Sequence, residues 1–118
     1  MSERDLSLLL QDIEQAVKSI LDYTYGYSFS DYEQDLKTRH AVERNFEIIG
    51  EAAARISTDF KNKYPEIEWR ILKDFRNFII HDYFGINHDI VWDTIQLRLP
   101  DLLKDIQSLP HTRATLTS

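Results

Sequence analysis

Cysteine is absent from the 118 residues, so neither a disulfide framework nor a thiolate metal site can form, and nothing argues for an oxidising compartment. A reducing cytoplasm is the expected setting. Long apolar runs are also missing: none approaches the length needed to span a bilayer. The Leu8-Leu9-Leu10 run near the start lies among acidic residues with no small-residue cleavage site after it, unlike a signal peptide. Basic residues are outnumbered, 14 against 20 acidic, for a net charge of -6. That balance argues against a protein that holds nucleic acid by a broad basic surface. What the chain does have is 42% hydrophobic and 12% aromatic residues, enough for one domain with one core and too short for two. The domain is expected to span residues 1 to 110, with 111 to 118 a polar, poorly ordered tail.

The charge is unevenly spread. Residues 1 to 36 hold 2 basic and 8 acidic side chains, residues 37 to 76 hold 9 and 7, and residues 77 to 118 hold 3 and 5. Only the middle segment, ending at Arg76, could offer an anion a favourable local field. The same charges serve equally well as solvated helix faces.

Glycine and proline are scarce, three of each, and apolar residues recur at spacings of three and four. The fold class is therefore all-α, an antiparallel up-and-down bundle of four to five helices. Leu6, Leu9, Leu10, Ile13, Val17, Ile20 and Leu21 mark a first helix over about residues 3 to 24. Tyr25-Gly26-Tyr27-Ser28 breaks it, and Ser30 with Glu33 has the spacing of a capping box for the next segment. A long helix over about 36 to 56 carries Ala41, Val42, Ile48, Ile49, Ala52, Ala53 and Ile56 near one face. Gly50 inside it costs about 1 kcal/mol relative to Ala. With Ala53 and Ala54 it makes a low ridge, suited to close packing of another helix or to a ligand. Ser57-Thr58-Asp59 is a stop and a possible cap, and Tyr64-Pro65 prevents smooth continuation, leaving room for one helical turn between them.

A third long helix is predicted from Ile67 or Glu68 to Tyr83, with Gly85 as its C-terminal cap. Asn87 is placed to cap a fourth, which turns Ile90, Val91, Ile95, Leu99, Leu102, Leu103 and Ile106 inward. Pro100 should kink or break it between Gln96 and Pro100.

The third helix carries the chemistry. At about 100° per residue, Ile71, Leu72, Phe75, Phe78 and Ile79 fall within one arc facing the core. Arg70, Asp74, Asn77 and His81 form a stripe on the opposite side, and Arg76 lies at the margin with Tyr83 almost directly above it. Arg offers a planar, permanently charged fork for phosphate oxygens, Asn can orient a hydroxyl, and His can move a proton near neutral pH. RNA brings its own nucleophile, the 2′-hydroxyl, so a metal is not obligatory. One such His per subunit supplies an acid or a base but hardly both, a shortage that a two-fold dimer would remove. His40, His88 and His111 are alternative partners without comparable polar company in the sequence. No H-x-x-x-H or H-E-x-x-H spacing exists to suggest a metal site.

Arg76-Asn77-x-x-x-His81-x-Tyr83 resembles the signature of HEPN-domain ribonucleases. The rest resembles their HepT toxin branch, through the run Ala41-Val42-Glu43-Arg44 to Ile49-Gly50-Glu51-Ala52, Trp69, Val91-Trp92 and Leu99-Pro100-Asp101-Leu102. The resemblance implies a HEPN-like homodimer and a metal-independent endoribonuclease site in the dimer cleft that needs no cofactor. It also implies a toxin of a bacterial or archaeal cell. Arg76, His81 and Asn77 would be catalytic, and a structured RNA such as tRNA the substrate. It further implies a minimal nucleotidyltransferase antitoxin that transfers AMP from ATP to Tyr83. Asp74 and Glu51 are added as supporting candidates on position alone, outside the motif. The alternative reading is a non-catalytic helical subunit that binds nucleotide or substrate for a nucleotidyltransferase.

Overall fold

The structure is a computed structural model that describes residues 1 to 80 and 87 to 110, with side chains through Asn77 in the first stretch. The described residues form seven helices and no strand. Helix α1, Glu3–Tyr23, starts where the Ser2 hydroxyl accepts from the Asp5 N–H. Leu6, Leu9, Leu10, Ile13, Val17 and Ile20 are buried along one face, and Leu21 is half-buried at its edge. The turn after it needs Gly26, whose φ of +76° is a left-handed conformation that side chains disfavour.

Helix α2, Phe29–Gln34, begins two residues earlier than the sequence suggests. Its capping box is Ser28 with Asp31, each accepting from the other's backbone N–H at 3.1 and 3.0 Å. Ser30 lies inside the helix and accepts from Gln34 instead. The turn through Gly26 ends early enough for Ser28 to be the first residue free to cap, and Asp serves at the third helical position where Glu was expected.

Helix α3, Leu36–Arg55, is capped by Asp35. It buries Val42, Phe46, Ile49, Gly50, Ala52 and Ala53. Phe46, absent from the sequence-based face, completes a row with Ile49, Gly50 and Ala53 at helical spacing. Ala54 lies about 100° off that row and is exposed, so the low ridge is Gly50 and Ala53 alone. Ser57 caps α4, Thr58–Lys63, the short turn for which the connection left room. Phe60 of α4 is buried and packs on Tyr64 and Trp69 at 4.8 and 6.0 Å between ring centroids.

Helix α5 spans Trp69–Ile80. The Trp69 indole N–H donates to the Tyr64 carbonyl at 3.0 Å, which anchors the helix start beyond Pro65. Leu72 and Phe75 are buried and Ile71 half-buried, as the arc requires. The Phe78 and Ile79 side chains, and Tyr83 and Gly85 at the expected helix end, lie outside the described residues, as does the 111 to 118 tail.

Asn87 caps α6, His88–Leu97, by accepting from the Ile90 N–H. Val91 and Ile95 face inward. Ile90 does not: it is 54% exposed, because it lies about 100° away from the Val91 and Ile95 row. The expected kink is a full break at Arg98, after which α7, Leu99–Gln107, starts with Pro100 in its first turn, where a missing N–H costs nothing. Leu99 and Ile106 are buried, with Leu102 and Leu103 partly so.

Two six-residue helices and this break explain why seven helices replace four or five. The packing runs in a row, α7 on α1, α1 on α3 and α3 on α5, with α6 and α2 closing one end. Trp69 meets Phe60, Phe75 meets Phe46, and His88 meets Arg39. Numbers thus rise along α5 and α6 as they fall along α4 and α3, so the chain from Trp69 onward runs antiparallel to α3.

Candidate active site

Helix α5 owes its rotational setting to Leu72 and Phe75. Both rings or branches are buried, and Phe75 meets Phe46 edge-on at 5.1 Å between centroids. Turning these two inward leaves Arg70, Lys73, Asp74, Arg76 and Asn77 exposed. Three cations therefore share the outer face of α5 with a single carboxylate. Lys61, on α4, belongs to the same neighbourhood. Burial holds its ammonium below the ordinary value, and the nearby Lys73 charge pushes the same way. The positive field expected of the middle segment is thus gathered along α5.

Arg76 stands at the α3–α5 seam. A Cβ added to Gly50 would lie 2.5 Å from the Arg76 Cβ and 2.8 Å from its backbone nitrogen. The base of Arg76 is consequently fixed against α3 while its charged end remains exposed. Among the described residues no carboxylate is within ion-pair distance of it. Gly50, left between packing and ligand on sequence grounds, is a packing residue whose partner is the motif arginine itself.

Of the expected site residues, Arg76 and Asn77 are adjacent and exposed on α5. Asp74 is exposed one turn before them, and Glu51 is exposed on α3 beside Gly50. Neither forms an ion pair among the described residues. His81 and Tyr83 lie outside the described residues.

Sequence reasoning missed a second polar group. His88, which has no polar company near it in the chain, lies 2.7 Å from Arg39 through its Nε2 and the arginine Nη1. Tyr32 stands edge-on to the His88 ring at 6.3 Å and is itself fully buried, with Trp92 tilted over it at 5.4 Å. Glu43 is close enough to feel the charges of Arg39, His40 and His88. Burial nevertheless raises its carboxyl above the ordinary value. The members are drawn from α2, α3 and α6, so no local motif could have announced them.

A groove of about 300 Å³ runs between α5 and the α6–α7 junction, with Ile71, Leu72 and Phe75 in its wall. Glu66, Glu68, Asp101 and Asp105 also line it, and Arg76 and Asn77 do not. Four carboxylates make it a poor path for a polyanion, so the cationic face of α5 is the better candidate.

Residues 13–109 match the model of the HepT-like family, described as "Ribonuclease HepT-like". The chain is 38% identical over 109 residues to a Methanocaldococcus jannaschii protein named as a candidate RNase, covering 92% of this chain and 90% of that one. It is 40% identical over 100 residues to a protein of Thermococcus cleftensis named "Probable ribonuclease HepT", covering 85% and 91%. A candidate RNase of Caldanaerobacter subterraneus is 33% identical over 100 residues, with 85% and 89% covered. No solved structure gives a significant match. An all-helical chain whose cationic helix carries the Arg-Asn pair, and whose sequence matches that model over most of its length, belongs to the HepT-like ribonuclease family.

Proposed function

We propose that the chain is an endoribonuclease toxin that acts as a homodimer without a metal, its site composed at the cleft between two copies of α5. The observation that carries this reading is the exposed Arg76-Asn77 pair on the cationic face of α5, with Arg76 fixed at its base by Gly50 and unpaired by any carboxylate among the described residues. Family membership supports the ribonuclease class.

In the reaction the RNA 2′-oxygen attacks the adjacent phosphorus and loses its proton, and the 5′-oxygen leaves and gains one. The products are a 2′,3′-cyclic phosphate and a 5′-hydroxyl. Arg76 supplies a fork of N–H donors to the phosphoryl oxygens as negative charge builds on them. His81 is the proton-transfer group and Asn77 orients the site, with the partner copy contributing the second imidazole. A structured RNA such as tRNA, presenting a concentrated backbone charge, suits a cationic strip on an otherwise acidic protein.

Tyr83 is the control point. A cognate minimal nucleotidyltransferase transfers AMP from ATP to the Tyr83 oxygen, which loses its proton as pyrophosphate leaves. The added phosphodiester carries a negative charge into the neighbourhood where Arg76 would receive RNA.

The test is purified protein on total RNA with a chelator present. Wild type should leave cyclic-phosphate ends, while Arg76→Ala and His81→Ala should lose cleavage and growth arrest with their folds intact. Cleavage surviving in His81→Ala would remove the catalytic assignment. Nucleotide binding without any cleavage would favour the non-catalytic subunit. Tyr83→Phe should stay active and escape neutralisation on co-expression with the nucleotidyltransferase.

A further inference from the structure

The chain from Arg76 to His88 is held by α3 at both ends. Gly50 takes the backbone of Arg76, and Arg39 takes the imidazole of His88, the first residue of α6. Residues 81 to 86 join these two holds.

The second hold has a defined chemistry. A guanidinium has donors only and stays charged, so at 2.7 Å the His88 Nε2 must be the acceptor. The imidazole is then neutral, with its proton on Nδ1. No other hydrogen bond supports the pair: Arg39 Nε and His88 Nδ1 are both buried without a partner among the described residues. The ionisable groups around His88 are Tyr32 from α2, Arg39 and Glu43 from α3, and Asp89 next in its own helix. His40 and Glu47 act on Glu43 in turn. A proton on Nε2 would remove the acceptor, set two cations against each other and turn the imidazole toward the Glu43 carboxylate.

We propose that Arg39 and His88 are positioning residues, and that their contact, which exists only with neutral His88, fixes where residues 81 to 86 enter α6. Acidification opens it. Its consequence for RNA cleavage rests on the ribonuclease reading, which puts His81 in that span; the contact itself does not.

Long-range proton–nitrogen NMR of the histidine rings in the full-length protein tests this without RNA. His88 should show the Nδ1–H tautomer at neutral pH, and its titration should shift the His81 resonances. In His88→Gln, whose amide oxygen keeps an acceptor near the place of Nε2, that shift should vanish. Turnover on RNA should fall about tenfold or more in Arg39→Met and His88→Leu with KM within about threefold. His88→Gln should keep most of the difference and lose the matching step in the acid limb of the pH profile. An Nε2–H tautomer in unmodified protein, or His81 resonances indifferent to Arg39→Met, would overturn the proposal whether or not the variants cleave RNA. Coupled His81 and His88 resonances in a wild type that cuts no RNA would sustain the positioning role and reject the ribonuclease reading.

Discussion

Gly50 approaches Arg76 so closely that the contact is backbone to backbone: even the Arg76 Cα lies 3.1 Å from where a Gly50 methyl group would stand. In a solvent-facing helix interior, Gly→Ala gains about 1 kcal/mol. At this seam the added methyl meets the main chain of α5, which cannot rotate aside as a flexible side chain would.

Gly50→Ala should therefore reverse the usual sign. Overpacking of this kind costs about 1 to 3 kcal/mol, more than the propensity gain. Urea denaturation of the variant should show a lower midpoint at unchanged slope, and RNA cleavage should fall because Arg76 is displaced from α3. A higher midpoint would mean that α5 can retreat without strain.

Tyr32 is the opposite case, a buried group that gives stability away. Its ring is fully enclosed, while its hydroxyl finds no hydrogen-bond partner among the described residues. Tyr32→Phe should leave stability equal or raise it by about 1 kcal/mol or more, since the unmet desolvation of the hydroxyl disappears. The pH dependence has a definite sign. Burial first, then the Glu43 charge, raises the phenol far above its ordinary value, with Arg39 opposing. The unfolded chain then releases this proton first, so stability should decline as pH climbs above about 10. Thermal melts from pH 8 to 11 should show a shallower decline in Tyr32→Phe.

Asp35 sets the acid side. Its carboxylate accepts from the Thr38 hydroxyl at 2.7 Å, the Thr38 N–H at 3.0 Å and the Tyr27 hydroxyl at 2.7 Å. These bonds, Thr38 foremost, lower its carboxyl from 3.8 to about 2. A depressed folded value means a contribution fully present above the unfolded value and lost as pH falls toward about 2. Melting temperature should drop through that window, and less steeply in Asp35→Asn, which keeps a capping oxygen but cannot titrate. Equal slopes would remove Asp35 from the acid response.

Periodicity made the long helices legible, because burying Leu10, Ile13 and Val17 or Leu72 and Phe75 needs only a repeat of three and four. Caps at Asn87 and Ser57 were legible for the same reason: their chemistry acts over three residues. The α2 cap was misplaced because two Ser-acid pairs, Ser28-Asp31 and Ser30-Glu33, compete locally, and only the turn through Gly26 decides between them. Ile90 and Ala54 were misassigned one helical position from a buried row. Arg76 and Asn77 could be placed outward from the sequence. That Gly50 faces Arg76 could not, nor that Arg39 meets His88, because each pairing depends on how two separate helices dock.

The two holds also set a rule for chain length. Arg39 and Gly50 are eleven residues apart on α3, which at about 100° each brings them within roughly 20° of the same face, about 16 Å apart. A single residue inserted between them would swing one hold about 100° away from the other. Length changes before residue 39 or after residue 50 carry no such penalty. The stretch from Arg39 to Gly50 is thus a ruler with two marks, one for where the motif chain departs and one for where it returns.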